Sequence, residues 1–235
     1  MTELEGKARR RLVERDLRRI RDAHAYGVVL ALVVVLFLFA DAAPSAPWTA
    51  SVIILLQGVT LAAALATSSR RRIRVRAREV VVGAAALAGL QLVLDHTRVV
   101  NSTVAILSAA LAVTTAVVVA RGVARQNEVN VASVCGAVAI YLLVGMMFVF
   151  VYAGVQVIGG HDFFAQGVAG TRSLFLYFSY VTMLTLGYGD YTPATQVGKT
   201  FAVVEALLGQ LYLVTVVAVL VGSFGRRRDK AWTDG

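Results

Sequence analysis

The reading of this chain turns on T-R-S-L-F-L-Y-F-S-Y-V-T-M-L-T-L-G-Y-G-D-Y-T-P, residues Thr171 to Pro193. Thr171 to Leu184 is apolar and aromatic, yet too short to cross about 30 Å of hydrocarbon as a helix, so it reads as a helix that dips into a membrane and returns. Backbone that is not helical is tolerated at membrane depth only where protein buries it or where it lines an aqueous path. Thr185, Leu186, Gly187, Tyr188 and Gly189 follow at once and therefore ask for a pore.

The rest of the chain supplies the membrane. Of 235 residues, 58% are hydrophobic and 16% charged, with three prolines, one cysteine and a net charge of +9. Soluble domains carry about 25% charged residues, so there is too little polar surface here to cover a water-soluble globule, and a soluble enzyme is excluded. The lone Cys135 rules out a disulfide framework or a zinc site on paired thiols, and reads as a small apolar residue. Apolar stretches run Tyr26 to Ala43, Trp48 to Thr67, Val80 to Leu94, Val99 to Ala120, Val131 to Ile158 and Gly198 to Phe224. That makes six spans, of which Val80 to Leu94 is short and needs its flanks or a thinned bilayer. The first follows a charged segment and shows no A-x-A-like cleavage pattern, so it is not a signal peptide. No nucleotide-binding loop, internal repeat or catalytic Ser/His/Asp spacing gives an enzyme reading a foothold.

The basic residues test the topology, and their placement between apolar runs argues against nucleic acid as partner. The amino-terminal segment, the connection holding Arg70, Arg71, Arg72, Arg74, Arg76 and Arg78, the pair Arg121 and Arg125, and the tail Arg226, Arg227, Arg228 and Lys230 all fall on one side of a six-span chain. Only Arg98, Arg172 and Lys199, of 23 basic residues, fall on the other. Both termini are expected in the cytoplasm of a multi-pass protein of the cell membrane. The Arg70 to Arg78 cluster alternates by two, so on a helix its side chains would fan rather than form a stripe; it is expected to be a loop that sets topology, with binding of anionic lipid as the alternative. Val13, Leu17, Ile20 and His24 are spaced for an interfacial amphipathic helix. His24, His96 and His161 read as solvated or interfacial residues.

With Thr182 three residues ahead of it, T-L-G-Y-G-D resembles the T-x-x-T-x-G-Y-G-D signature of tetrameric potassium channels. The resemblance implies an all-α membrane protein with six transmembrane helices plus a re-entrant pore helix and filter, four chains around a central axis. A dehydrated potassium ion must be re-coordinated by layers of carbonyl oxygens, four per layer. Carbonyls in an ordinary strand alternate in direction, so aiming them at one axis calls for left-handed residues, which glycine adopts cheaply. Gly187 and Gly189 supply that freedom. By resemblance the carbonyls of Thr185, Leu186, Gly187 and Tyr188 hold the potassium ions, with the Thr185 hydroxyl at the innermost site. Asp190 sits behind the outer mouth, held by an aromatic residue of the pore helix, Tyr177 or Phe178, of which only Tyr177 can donate a hydrogen bond. The negative end of the pore helix would favour a cation below the filter. The chain departs from relatives at Leu184, where many carry threonine, and at Val181, where some carry an acidic residue.

Gly198 to Gly222 resembles the inner helix of that family. Gly209 lies where relatives place a gating hinge, close packing being the alternative. Glu205 is ionisable within an apolar span, and is expected to be a buried partner of the pore helix, a cavity-facing carboxylate being the alternative. A voltage sensor needs basic residues at every third position of the fourth span, and Val99 to Ala120 holds none, so voltage dependence is expected to be weak or absent.

The expected organisation is a basic amphipathic segment (1–25), a sensor-like bundle without gating charges (26–121), a pore domain (131–225, with outer helix 131–158, pore helix 171–184, filter 185–190 and inner helix 198–224) and a short tail (226–235). The function that the resemblance implies is passive potassium-selective conduction by a homotetramer in contact with membrane lipids, with no resident cofactor expected. The rivals are a non-selective cation channel of the same fold, a secondary transporter, which should show inverted repeats, and a non-conducting accessory subunit.

Overall fold

The computed structural model describes residues 25–44, 46–67, 71–93, 98–124 and 130–233. The amino-terminal segment with His24, and likewise Arg70, His96 and Arg125, lie outside the described residues. The described chain forms α1 (Ala25–Ala42), α2 (Pro47–Ala66), α3 (Arg71–Val93), α4 (Arg98–Ala124), α5 (Val131–Gly159), α6 (Arg172–Met183) and α7 (Gln196–Thr233). No strand forms among these residues; an isolated bridge pairs Phe164 with Pro193. The fold is all-α.

Within α1, α2, α4, α5 and α7 there are stretches long and apolar enough to cross a membrane. α3 differs, since its apolar part from Val80 to Val93 spans only about 21 Å at 1.5 Å per residue and its first two turns carry arginines. The cluster expected as a loop is therefore corrected: Arg71, Arg72, Arg74, Arg76 and Arg78 are helical. Arginine and alanine are strong helix formers, and no glycine or proline breaks the run before Gly83. Two other bounds shift for a related reason. α4 continues to Ala124, so Arg121 sits in its last turn rather than beyond it, and α7 continues to Thr233, so residues 226–233 are helix rather than a separate tail. Arg121 in the last turn of α4 faces the negative end of the helix dipole and favours its extension.

α2 packs against α3 and α4, α4 against α5, and α5 against α6 and α7, which also touch each other. α1 is the seam between the two halves. Its Leu36 and Ala40 share a core cluster with Ile53, Met146, Tyr152, Phe175 and Phe178, and its Tyr26, Val29 and Val33 share another with Ala64, Val119, Ala139 and Leu143. α5 opens on a reciprocal cap between Asn130 and Ser133 and closes on Gly160 in the left-handed region. α6 opens on Thr171, whose hydroxyl accepts from the Leu174 amide at 3.3 Å.

Candidate functional site

α6 is 12 residues long, about 18 Å, and everything after it depends on how its last carbonyls are satisfied. Tyr180 O accepts from the Leu184 amide at 2.9 Å, and Thr182 O from the Thr185 amide at 3.0 Å. Val181 O accepts from the amides of Leu186 at 2.9 Å and Gly187 at 3.4 Å. Met183 O accepts from the Tyr141 hydroxyl of α5 at 3.2 Å. The first amides of the segment after α6 are thereby turned back onto that helix.

Three residues of that segment are left-handed: Thr185 at φ +55, Gly187 at +54 and Gly189 at +78, while Leu186 and Tyr188 between them are not. Left-handed residues at every second position aim successive carbonyls to one side, where a strand would alternate them. The glycines were legible from sequence. Thr185 was not: a β-branched residue in this region carries a cost of about 1–2 kcal/mol, and no composition rule flags it. Its hydroxyl donates to Leu184 O at 2.7 Å and accepts from the Gln210 side chain at 3.4 Å, so Gln210 of α7 joins the inner end of the segment. The segment 184–190 is exposed in the single chain, Leu186 at 50% and Tyr188 at 66%.

Of the two aromatic candidates beside Asp190, the Tyr177 hydroxyl donates to Asp190 Oδ2 at 2.7 Å. Phe178 is buried instead in an aromatic cluster, 5.2 Å from the Tyr152 ring and 5.6 Å from that of Phe164. Thr182 contributes its carbonyl to the turn described above. Residues 192–194 are pinned to the loop between α5 and α6: Ala165 N donates to Thr192 O and Ala194 N to Phe163 O, each at 2.8 Å. That loop is gathered by Gln156 of α5, whose Oε1 accepts from the amides of Phe163 at 3.2 Å and Gly170 at 2.7 Å. A glutamine within an apolar span was the available signal for it.

On α7, Glu205 is fully buried and faces α5 and α6, not a cavity: Tyr152 donates to its Oε2, and Ser179 Oγ lies 2.5 Å from its Oε1. One turn later, a Cβ built on Gly209 would stand 3.1 Å from Met183 O and 3.4 Å from Met183 Cβ. Gly209 lies within an unbroken α7, and this close approach is what its lack of a side chain permits. Arg172, read from sequence only as an outside charge, donates through Nε to Ala40 O at 3.0 Å and through Nη2 to Ala43 O at 3.2 Å. Ser173 donates to Asp41 Oδ1 at 3.0 Å. The start of α6 is therefore tied to the end of α1.

Residues 137–225 match the family model described as "Ion channel". The chain is similar to "Probable potassium channel protein 2" of Methanocaldococcus jannaschii, 36% identical over 70 residues, covering 28% of this chain and 18% of that protein. It is also similar to "A-type voltage-gated potassium channel KCND3" of Rattus norvegicus and of Homo sapiens, 44% identical over 50 residues, 21% of this chain and 8% of those proteins. The chain thus spans under a fifth of the length of these curated relatives. No solved structure matches it.

Proposed function

We propose that this chain, whose residues 137–225 match an ion-channel family model and which is similar to potassium channels over 50 to 70 residues, is an integral membrane channel that conducts potassium selectively and passively through a homotetrameric pore. The observation that carries the reading is the alternation of left-handed backbone at Thr185, Gly187 and Gly189. Four such segments around an axis would offer stacked rings of carbonyls in place of the ion's water shell, from Thr185, Leu186, Gly187 and Tyr188. The exposure of Leu186 and Tyr188 in one chain fits side chains that pack on neighbouring copies. Asp190, Tyr177, Thr182 and Phe178 support the segment from behind. Gly209 acts as a packing position.

The asymmetry of basic residues supports cytoplasmic termini in the cell membrane, and Arg71 to Arg78 at the head of α3 would lie near anionic lipid head groups. The absence of basic residues from Val99 to Ala120 supports conduction with little intrinsic voltage dependence.

The test is potassium and sodium flux into liposomes holding the purified protein. Potassium flux well above sodium flux is expected, and Gly187→Asp abolishes it, because an aspartate at φ +54 is strained and brings a carboxylate into the carbonyl ladder. Equal potassium and sodium flux would move the reading to the non-selective rival.

A further inference from the structure

Glu205 and Gly209 of α7 lie four residues apart and meet Ser179 and Met183 of α6, also four residues apart, so one stripe of the inner helix runs along one stripe of the pore helix. Gly209 contributes closeness. Glu205 contributes hydrogen bonds, and their protons can be counted. Ser179 Oγ stands 2.9 Å from Gly145 O of α5 and 2.5 Å from Glu205 Oε1. The Tyr152 hydroxyl serves Oε2. A serine hydroxyl carries one proton, and a backbone carbonyl can only accept. For both serine contacts to be hydrogen bonds, a second proton must lie between Ser179 Oγ and Glu205 Oε1, and the carboxyl is its only source.

The surroundings agree with that count. The titratable side chains facing Glu205 are Tyr141 and Tyr152 from α5 and Tyr180 from α6, and among the described residues no cation is paired with it. A fully buried carboxylate with hydroxyl donors and no cation is an expensive species in a dry interior, whereas a neutral acid that donates one hydrogen bond and accepts another is satisfied.

We propose that Glu205 is held as a neutral carboxylic acid, donating to Ser179 while Ser179 donates to Gly145 O, and that this relay across α7, α6 and α5 is a positioning device for the filter. Ser179 lies two residues before Val181, whose carbonyl receives the Leu186 and Gly187 amides. The relay fixes the turn of α6 from which the filter hangs. It rests on the reading of Thr185 to Gly189 as a filter only for its functional consequence; the protonation state stands apart.

Two measurements on the full-length protein in liposomes test it. Infrared spectroscopy of the parent should show a protonated-carboxyl C=O band that is absent in Glu205→Gln and shifted in frequency by Ser179→Ala and by Tyr152→Phe. A merely structural carboxylate would give no such band. In flux, Glu205→Gln keeps the parent's ratio of potassium to sodium, because the amide supplies the same donor and acceptor, while Glu205→Ala lowers it by roughly tenfold, about the worth of one hydrogen bond. A parent without the Glu205 band overturns the proposal, as does a Glu205→Gln protein that fails to assemble or loses selectivity. A parent that shows the band but carries no potassium selectivity overturns the filter reading and the positioning role, and leaves the neutral acid in place.

Discussion

The two halves of the chain handle their polar side chains in opposite ways. In α5 to α7 four hydroxyls reach across helices to backbone carbonyls, Tyr180 to Leu142 O at 2.5 Å, Tyr212 to Ala137 O at 2.7 Å, Tyr141 to Met183 O at 3.2 Å and Ser179 to Gly145 O at 2.9 Å, while Thr200 turns back onto Gln196 O of its own helix. In α2 and α4 the threonines turn back onto their own helix, Thr60 to Leu56 O, Thr114 to Ala110 O and Thr115 to Leu111 O, each at 2.7 Å. The bundle is drawn together by small residues, as where Gly58 meets Ala84 with no room for a Cβ, alongside the bond from Ser51 to Ala88 O at 3.1 Å. Directional bonds fix a position; small-residue contacts fix a distance and leave sliding and rotation softer. A carbonyl ladder needs the first kind of constraint. The bundle of α2 to α4 is held by the second.

The comparison breaks most visibly at its two packing glycines. In Gly209→Val the new side chain meets Met183 backbone at 3.1 to 3.3 Å, so it displaces the carboxyl end of α6 and the segment Thr185 to Gly189 with it; loss of potassium flux is expected from protein that still shows full helical circular dichroism. In Gly58→Val the obstruction is Ala84 Cβ, at 2.3 Å from the first added carbon. Overpacking of that kind costs about 1–3 kcal/mol, so a lower thermal midpoint is expected, with the ratio of potassium to sodium flux unchanged in the folded fraction. If Gly58→Val also changed selectivity, the bundle would be part of the filter's support and the contrast would fail.

The next test lies at the joint. Arg172 caps the last carbonyls of α1, which otherwise end unsatisfied, and places its charge at the negative end of that helix. Arg172→Gln keeps part of the hydrogen bonding and removes the charge, so about 1 kcal/mol of stability should be lost, since the group is only half-buried and water can replace it. Thermal unfolding in detergent reads this directly. Selectivity should hold, because the bond ties α1 to the first residue of α6, far along the helix from the filter.

The contrast also explains which parts of the molecule were legible in the sequence. T-L-G-Y-G-D marks the site because only a few residue types tolerate that backbone, and Tyr177 was separable from Phe178 because one of them has a donor. A carboxyl in an apolar span must find partners, which made the burial of Glu205 readable, although the identity of Ser179 and Tyr152 as those partners depends on how α5 and α6 cross. Gly209 stayed ambiguous for the same reason: glycine serves a hinge or a close approach, and only the position of Met183 decides. The arginines of α3 were misread because charge pattern reports where a segment sits relative to the membrane, whereas helix or loop is decided by backbone propensity, which is high there. Arg172 was hidden because its partners are carbonyls, which have no sequence signature.

The smallest expected effect concerns voltage. A charge that crosses the full membrane potential contributes about 2.3 kcal/mol per 100 mV, so a helix bearing several would change the open fraction by orders of magnitude over that range. α4 carries Arg98 at its first position and Arg121 in its last turn, and nothing basic between. Both lie at helix ends, where little of the potential would fall across any displacement they make. Potassium flux per unit driving force should therefore change little between positive and negative potentials, and Arg121→Gln should leave that relation where it was. A steep dependence in the parent that survives Arg121→Gln would point to a charge in the pore half, and of the two halves it would then be the pore that senses the field.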